Sequence, residues 1–225
     1  EKELLGLYNE LQQRDQKVAS SAESEPLAVG RRRLKNRALE LLCQTHNENH
    51  WQLAQHQFDE QPDMTNQIAA LRSLRDIETA QRETCFNQFY NKWCNDGVVF
   101  NKWLALKATQ QSPQSLETVE SLQSDPHFSL LNPNNLRSLV GAFARYNPEG
   151  FHRADGQGHR FLADKIIELD SRNAHMAAAL AQMFNDWKKY ESTTRNSMKK
   201  QLDRISSKKD LSNNVYELVT KALNS

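Results

Sequence analysis

The histidine pair His46 and His50 is the part of this sequence whose spacing comes nearest to a catalytic metal site. A catalytic zinc site is most recognisable as H-E-x-x-H on one helix, with the glutamate directly after the first histidine. Here the glutamate, Glu48, stands one place too late, and the segment lies where one helix is expected to end and the next to begin. No third ligand stands nearby, so structural or solvated histidines are favoured. We predict that this chain binds no metal.

The three cysteines, Cys43, Cys85 and Cys94, give no better basis for catalysis. A thiol nucleophile needs a histidine base within reach, and nothing in the sequence ties any of these thiols to one. Their odd number and scattered spacing favour reduced thiols over a disulfide framework, which is typical of a reducing compartment. We therefore predict a cytoplasmic chain that has no catalytic residues of its own.

Two basic runs raise the question of nucleic-acid binding. They consist of Arg31, Arg32, Arg33, Lys35 and Arg37, and of Arg195, Lys199, Lys200, Arg204, Lys208 and Lys209. In a helix the members of the first run spread around the cylinder, and a formal net charge of +1 provides no overall attractive field. Solvated or ion-paired helices are favoured, so we predict no nucleic-acid partner. No apolar run approaches the ~20 residues of a membrane span, so we also predict no membrane partner.

Arg137 is the strongest candidate for a binding residue. It lies one turn inside a helix that is predicted to begin at Asn132–Pro133, because an asparagine cap followed by proline at the first helical position is a typical helix start. The arginine departs from the apolar stripe of that helix, and Gly141 in the same helix indicates close approach by another helix or surface. Arg137 could therefore pair with a carboxylate of a ligand. The alternative is an ordinary ion pair on a helix surface.

The elements that must position these residues are helices. Apolar residues recur at helical spacing, and both glycine, with 7 residues, and proline, with 6, are scarce. The stripes comprise Leu34, Ala38, Leu41 and Leu42; Phe86, Phe89, Tyr90 and Trp93; Leu136, Leu139, Val140 and Phe143; Leu162, Ile166 and Leu169; Met176, Leu180, Met183, Phe184 and Trp187; and Val215, Leu218, Val219 and Ala222. No segment alternates as a strand would, so the sequence predicts an all-α fold.

The helices are separated by short breaks, of which those at 20–26 and 61–65 fall in the first half of the chain, and a second proline start is predicted at Ser112–Pro113. Short connections make sequential helices antiparallel neighbours. We predict an irregular α-superhelix or solenoid of stacked helix pairs, similar to ARM or HEAT repeats, without a fixed repeat period. Residues 1–225 are interpreted as part of one helical domain, and Asn147–Gly158 is a candidate functional surface or subdomain joint.

Several stretches carry a resemblance to a known family. The runs NPNNLRSLVGAF, NPEGFHRADGQGHRFLADKIIELDSRN and DLSNNVYELVTKAL resemble the C-terminal helical domain of bacterial alanyl aminopeptidases of the aminopeptidase N type. Upstream, AVGRRRLKNRALELL and YNKWCNDGVVFNKWLALKAT resemble the same domain in the same order. The resemblance covers the chain from about Pro26 to its end.

This resemblance implies a domain of a zinc-dependent exopeptidase of the gluzincin class, which removes N-terminal residues from peptides. The zinc and the catalytic residues belong to an earlier domain, and the helical domain closes over the active-site cavity and limits entry to peptides. Arg137 matches the arginine of the N-P-N-x-x-R motif, which faces the cavity. A further arginine common in the family has no counterpart here, because the matching stretch is Ala177, Ala178 and Ala179.

Two classes of function thus stay open from the sequence. The first is the non-catalytic C-terminal domain of a zinc aminopeptidase, whose partners are the catalytic domain of the same polypeptide and peptide substrates. The second is a free-standing α-solenoid scaffold that binds a protein or peptide. The chain lacks an initial methionine and begins inside a predicted helix, which favours the first.

Overall fold

The computed structural model describes residues 1–18, 25–60 and 63–224, and within these residues it contains helices and turns but no strand. The prediction of an all-α fold is confirmed. The predicted breaks at 20–26 and 61–65 overlap residues 19–24 and 61–62, which lie outside the described residues. No described helix combines the length and the apolar character needed to cross a membrane.

The chain forms two compact units, Glu1–Leu106 and Lys107–Ser225. The helices that begin in the first unit are α1 (Lys2–Val18), α2 (Glu25–Cys43), α3 (Glu48–Glu60), α4 (Met64–Leu74), α5 (Ala80–Trp93) and α6 (Gly97–Ala108). Those of the second are α7 (Ser115–Leu122), α8 (Pro133–Leu136), α9 (Ala142–Tyr146), α10 (Pro148–Phe151), α11 (Gln157–Asp170), α12 (Ala174–Ala181), α13 (Ser192–Ser206) and α14 (Asn213–Asn224). A π-helical turn at Arg137–Gly141 joins α8 to α9, and 3₁₀ turns follow α12 at Gln182–Phe184 and Trp187–Lys189.

In the first unit α1 and α2 pack as an antiparallel pair, held by a buried ion pair. Asp15 lies 2.7 Å from the Nε atom of Arg31 and 2.7 Å from the Nζ atom of Lys35, and Lys35 also donates a hydrogen bond to Gln12 at 2.9 Å. Asp15, late in α1, pairs with Arg31, whereas Gln12, earlier in α1, accepts from Lys35, later in α2. The two helices therefore run antiparallel. Lys35 is completely buried. For Arg31 and Lys35 the prediction of a solvated or ion-paired basic run is confirmed, because both residues form ion pairs with Asp15 inside the unit.

The buried stripe of α2 differs from the predicted one. Ala38 and Leu42 are buried as expected, but Leu34 is 50% exposed and Leu41 is 37% exposed. The face that meets α1, α3 and α4 is rotated, so that Lys35 and Leu39 take the buried positions. The aliphatic stem of Lys35 fills space in the core, and its ammonium group is neutralised by Asp15, so a lysine can occupy this buried position.

In the second unit α11 and α13 run parallel. The side chains of Arg204 and Asp164 form an ion pair, and Lys208 donates a hydrogen bond to the carbonyl oxygen of Ile167 at 3.0 Å. Asp170, at the end of α11, is buried and accepts hydrogen bonds from the backbone N–H and the hydroxyl of Ser212, just before α14. The predicted apolar residues Leu162, Ile166 and Leu169 are fully buried.

The segment Asn147–Gly158 lies inside the second unit, and the boundary between the two units falls at Leu106 and Lys107. Asn147 fixes the start of this segment, because its side-chain amide donates to the carbonyl oxygens of Ala108 at 3.0 Å and Gln110 at 2.8 Å. Its side-chain oxygen accepts from Gly150 at 2.9 Å and caps α10. Side-chain hydrogen bonds therefore hold the start of this glycine-containing segment within the unit.

The second predicted proline start, Ser112–Pro113, is displaced in the structure. The Ser112 hydroxyl accepts from the backbone N–H of Gln114 at 3.2 Å and its carbonyl oxygen from that of Ser115 at 3.1 Å, so these residues form a turn. Helix α7 begins at Ser115. Ser112 accepts hydrogen bonds from the residues that follow it, but these bonds close a turn before α7 and do not cap the helix.

A histidine pair, in which His159 is buried and His152 is half-buried, connects this segment to α13. The Nδ1 atom of His152 lies 3.0 Å from the Nε2 atom of His159, and the Nδ1 atom of His159 lies 2.8 Å from the Ser197 hydroxyl. The ring of Tyr190 packs against His152 at 4.4 Å between centroids. Burial and the nearby His152 lower the pKa of His159 to about 4, and burial lowers the pKa of His152 as well. Both rings are therefore neutral in the folded protein at pH 7.

We expect this pair to make the folded state sensitive to acid. The pKa of His159 is lower in the folded chain than the ordinary value of 6.5, so the unfolded chain binds more protons as pH falls from about 6.5 to 4. The free energy of unfolding should fall by about 3 kcal/mol across that window on account of His159. Urea denaturation at pH 7.5 and 4.5 measures the loss, and His159→Gln should show less of it because the titrating ring is gone. An equal loss in both proteins would contradict this account.

Candidate functional site

Arg137 is positioned by the short helix α8 and by the asparagines around it. The side-chain oxygen of Asn132 accepts from the backbone N–H groups of Asn134 at 3.0 Å and Asn135 at 3.5 Å, and Pro133 occupies the first helical position. The predicted helix start is confirmed. Asn135 is itself buried, and its side-chain oxygen accepts from the backbone N–H of Ser129 at 2.9 Å. The hydrogen bonds of Asn132 and Asn135 thus fix the backbone of α8 directly before Arg137.

The helix continues as a π-helical turn that begins at Arg137 itself. The backbone N–H of Ala142 reaches the carbonyl oxygen of Arg137, five residues earlier. The sequence predicts an uninterrupted α-helix here, so this wider turn is a difference between prediction and structure. The four predicted apolar residues Leu136, Leu139, Val140 and Phe143 are nevertheless all buried. Single π turns inside α-helices often occur at functional sites, because they redirect the side chains of one turn.

A groove of about 420 Å³ lies between this helix and α12. It is lined by Pro133, Leu136, Arg137, Gly141, Arg145, Asn173, His175, Met176, Ala179, Leu180, Gln182 and Met183. Three of these side chains carry or can carry positive charge, and no aspartate or glutamate is among the lining residues. The groove therefore combines an apolar floor with a positive edge, a combination suited to an anionic group attached to an apolar one.

The Arg137 guanidinium is exposed and donates one hydrogen bond, from Nη1 to the side-chain oxygen of Asn134 at 3.2 Å. Among the described residues no carboxylate pairs with it. The alternative of an ordinary surface ion pair is therefore not realised with any described partner. Arg137 lines the groove, and the hydrogen-bond-donating N–H groups of its guanidinium other than the one that binds Asn134 are available to a ligand.

Gly141 and Ala179 keep the groove open. A Cβ atom added to Gly141 would lie 3.7 Å from the carbonyl oxygen of Leu136, which is ordinary contact, so no packed helix requires the glycine. Instead Gly141 lines the groove, which fits the second explanation offered by the sequence, approach by another surface. Ala177 and Ala178 are buried, whereas Ala179 lines the groove with a methyl group where the family resemblance implied an arginine nearby.

Arg145 and His175 also line the groove, although the sequence gives no prediction for either residue. Arg145 lies in α9 and His175 in α12, and each is an isolated exposed polar residue in its own helix. Only the packing of α12 beside the π-helical turn brings them to the same groove as Arg137. The one indication in the sequence is that Arg145 stands about two helical turns after Arg137. The π turn between them changes the helical spacing, so a projection onto a regular α-helix misplaces Arg145 relative to Arg137.

His46 and His50, the pair whose spacing comes nearest to a zinc motif, lie in different environments in the structure. His46 is exposed in a turn after α2, with a φ of 57°, and His50 is buried in α3. The Nδ1 atom of His50 lies 3.1 Å from the carbonyl oxygen of Leu42 and 2.8 Å from the Thr45 hydroxyl, so this ring ties α3 to the end of α2. Over residues 1–18, 25–60 and 63–224 no group of three histidine, cysteine or acidic side chains could hold a metal ion. The residues present do not fit a zinc site.

The cysteines are free thiols, of which Cys43 and Cys85 are buried and Cys94 is half-buried. Burial raises the pKa of Cys43 to about 12 and that of Cys85 to about 11. Thiols with such pKa values are protonated and inert at pH 7. Cys43 and Cys85 therefore contribute to the fold by packing and not by reactivity.

Comparison with known proteins places this architecture in a family. Residues 1–224 match the family described as a domain of unknown function (DUF3458_C) with ARM repeats. The chain belongs to this family. The prediction of ARM-like helix pairs is confirmed by this description, and the DUF3458_C domain accounts for nearly the whole chain.

Relatives of this DUF3458_C domain include proteins named aminopeptidase N. That of Caulobacter vibrioides is 36% identical over 218 residues, which is 96% of this chain and 25% of the relative. That of Escherichia coli is 35% identical over 223 residues, which is 98% of this chain and 25% of the relative. The resemblance to the aminopeptidase N type predicted from the sequence is confirmed, and the chain spans about a quarter of the length of these relatives.

A solved structure shares the fold. The crystal structure of Legionella pneumophila aminopeptidase A in complex with aspartic acid matches with a TM-score of 0.83 and 29% identity. The match covers 97% of this chain and 27% of the Legionella chain. The DUF3458_C domain is therefore similar over nearly its whole length to one part of a longer aminopeptidase.

Proposed function

We propose that this DUF3458_C domain is the non-catalytic C-terminal domain of a zinc-dependent aminopeptidase that removes N-terminal amino acids from peptides. The observation that carries the proposal is the match of 96–98% of the chain to about a quarter of each aminopeptidase N relative. In this proposal the zinc and the catalytic residues belong to another domain of the same polypeptide. The helical domain encloses the active-site cavity and admits peptides. Water exclusion of this kind strengthens electrostatic interactions at the reacting groups.

Within that enclosure the Arg137 groove would bind the carboxyl end of a short peptide. The guanidinium of Arg137 supplies a charge-assisted donor, and Arg145 and His175 line the same groove. Leu136, Met176 and Leu180 form an apolar floor on which a substrate side chain could pack. Binding there positions the substrate and performs no bond cleavage, because the groove lining contains no nucleophile paired with a base.

The proposal is tested by measuring aminopeptidase activity and zinc content together. The 225-residue chain and the product of the complete reading frame are each purified and assayed with alanine p-nitroanilide. We expect the longer product to contain zinc and cleave the substrate, and the chain alone to do neither. Inactivity of the longer product would leave the helical scaffold as the better account. Activity of the chain alone would show that its histidines had been misinterpreted.

Replacing Arg137 with alanine in the longer product should selectively impair the processing of short peptides. We expect kcat/KM for alanine tripeptides to fall tenfold to a hundredfold, which corresponds to the loss of about 1.5–3 kcal/mol from a charge-assisted contact. Alanine p-nitroanilide has no terminal carboxylate, so its kcat/KM should change little. Steady-state kinetics on both substrates measure the difference.

The control for this variant is Arg195→Ala, since Arg195 is an exposed arginine of the same unit that does not line the groove. It should leave kcat/KM for both substrates unchanged. If Arg137→Ala lowers activity on p-nitroanilide and tripeptide equally, the residue acts on the catalytic centre generally and does not bind the carboxylate. Unchanged tripeptide kinetics would remove Arg137 from the site.

The cytoplasm is the compartment that we propose for the protein. The support is the state of its thiols, since Cys43, Cys85 and Cys94 form no disulfide and two of them are buried as protonated thiols. Such thiols are typical of reducing compartments.

A further inference from the structure

Three leucines of α2 form an exposed apolar face. Leu27, Leu34 and Leu41 are 65%, 50% and 37% exposed, and they follow one another at intervals of seven residues. Seven residues are close to two helical turns, so the three side chains lie along one face of the helix. This leucine face is distinct from the buried face of Lys35, Leu39 and Leu42. A soluble helix normally presents charged or polar residues at such positions.

Gly30 lies on the leucine face between Leu27 and Leu34. An interior glycine weakens a helix relative to alanine, so its presence needs a reason. A Cβ atom built on Gly30 would meet no atom of the described residues within 4 Å, and therefore no contact within the described chain requires the glycine. Close approach of another helix backbone is a common reason for a small residue on a helix face.

One edge of the leucine face is basic. Arg33 is exposed and makes no ion pair with a described residue, and Arg37 lies 2.7 Å from Glu40 with its side chain 60% exposed. A partner that covered the leucines would bring its own flanking side chains to these arginines. Acidic flanking residues would complement them, as charged residues do beside the apolar seam of paired helices.

We propose that the leucine face packs against an amphipathic helix from another part of the same, longer polypeptide, whose apolar seam is bordered by acidic residues. The proposal rests on the proposed function, in which the chain is one domain of an aminopeptidase. Stacked helical repeats bury a face against each neighbour, and repeats that end a stack have a polar outer face. The outer face of α2 is apolar instead, and the aminopeptidase N relatives contain about three quarters of their length outside the match.

The test compares Leu34→Glu in the 225-residue chain and in the product of the complete reading frame. In the chain alone Leu34 is half exposed, so the midpoint of thermal denaturation should change by no more than about 1 °C. In the longer product the substitution buries a charge in the interface, and the midpoint should fall by about 5 °C or more. Thermal denaturation does not depend on peptidase activity, so an inactive product would refute the proposed function without deciding this proposal.

Leu131→Glu is the matched control, because Leu131 is also half exposed but lies outside α2. It should leave both midpoints unchanged, and a fall equal to that of Leu34→Glu would overturn the assignment to the leucine face. Equal midpoints for Leu34→Glu and the parent in the longer product would also overturn it. The same holds if light scattering shows a dimer of the chain that Leu34→Glu dissociates, or if the reading frame encodes nothing beyond this chain.

Discussion

Gly158→Ala should lower the free energy of unfolding by about 3 kcal/mol or more, at the upper end of the cost of overpacking a core. Gly158 is buried in the first turn of α11, where the helix meets α10. A Cβ atom there would lie 2.4 Å from the carbonyl oxygen of Phe151 and 2.5 Å from that of Gly150. Both atoms belong to the backbone and cannot rotate away, so α10 or α11 would have to move. Urea denaturation followed by circular dichroism measures the loss.

The control for this prediction is Gly6→Ala. Gly6 lies inside α1, is exposed, and a Cβ atom there would meet no atom of the described residues within 4 Å. Alanine should therefore stabilise the helix by about 0.5–1 kcal/mol, the ordinary propensity difference. A Gly158→Ala protein within 1 kcal/mol of the parent would show that α10 and α11 separate more easily than their backbone contact indicates.

Asp15→Asn should destabilise the first unit by about 3–5 kcal/mol. The substitution keeps the size of the side chain but removes the charge that neutralises both Lys35 and Arg31. Lys35 is completely buried, and among the described residues Asp15 is the one carboxylate that pairs with its ammonium group. A buried charge without a counter-charge loses its hydration and gains nothing in return. Denaturation midpoints in urea, with unchanged slope, would report the loss.

Lys35→Met separates the ion pair from the packing. The methionine side chain has a volume similar to that of the lysine stem, and Asp15 keeps its contact with Arg31. We expect a cost below about 1.5 kcal/mol, because a buried pair can often be replaced by apolar residues at little cost. If Lys35→Met destabilises the protein as much as Asp15→Asn, the ion pair between Lys35 and Asp15 itself stabilises the unit, because the methionine keeps the packing of the lysine stem.

Local chemistry determined several features of this protein from the sequence by itself. Asn132 caps a helix and Pro133 begins it, because a side-chain oxygen and a fixed φ act within four residues of chain. The stripe from Leu136 to Phe143 is buried because its apolar residues repeat at the helical period and have one face to cover. Family resemblance, carried by collinear motifs, identified the ARM-repeat domain and drew attention to Arg137.

Other features were decided by the tertiary structure alone. Leu34 and Lys35 are neighbours in the sequence, and which of them is buried depends on where α1, α3 and α4 lie around α2. The groove likewise exists because α12 packs beside the π-helical turn, which brings Arg145 and His175 to the site of Arg137. Such outcomes depend on contacts between residues far apart in the chain. Helical periodicity identifies an apolar face, but it contains no information on which neighbour covers it or whether a charge there finds a partner.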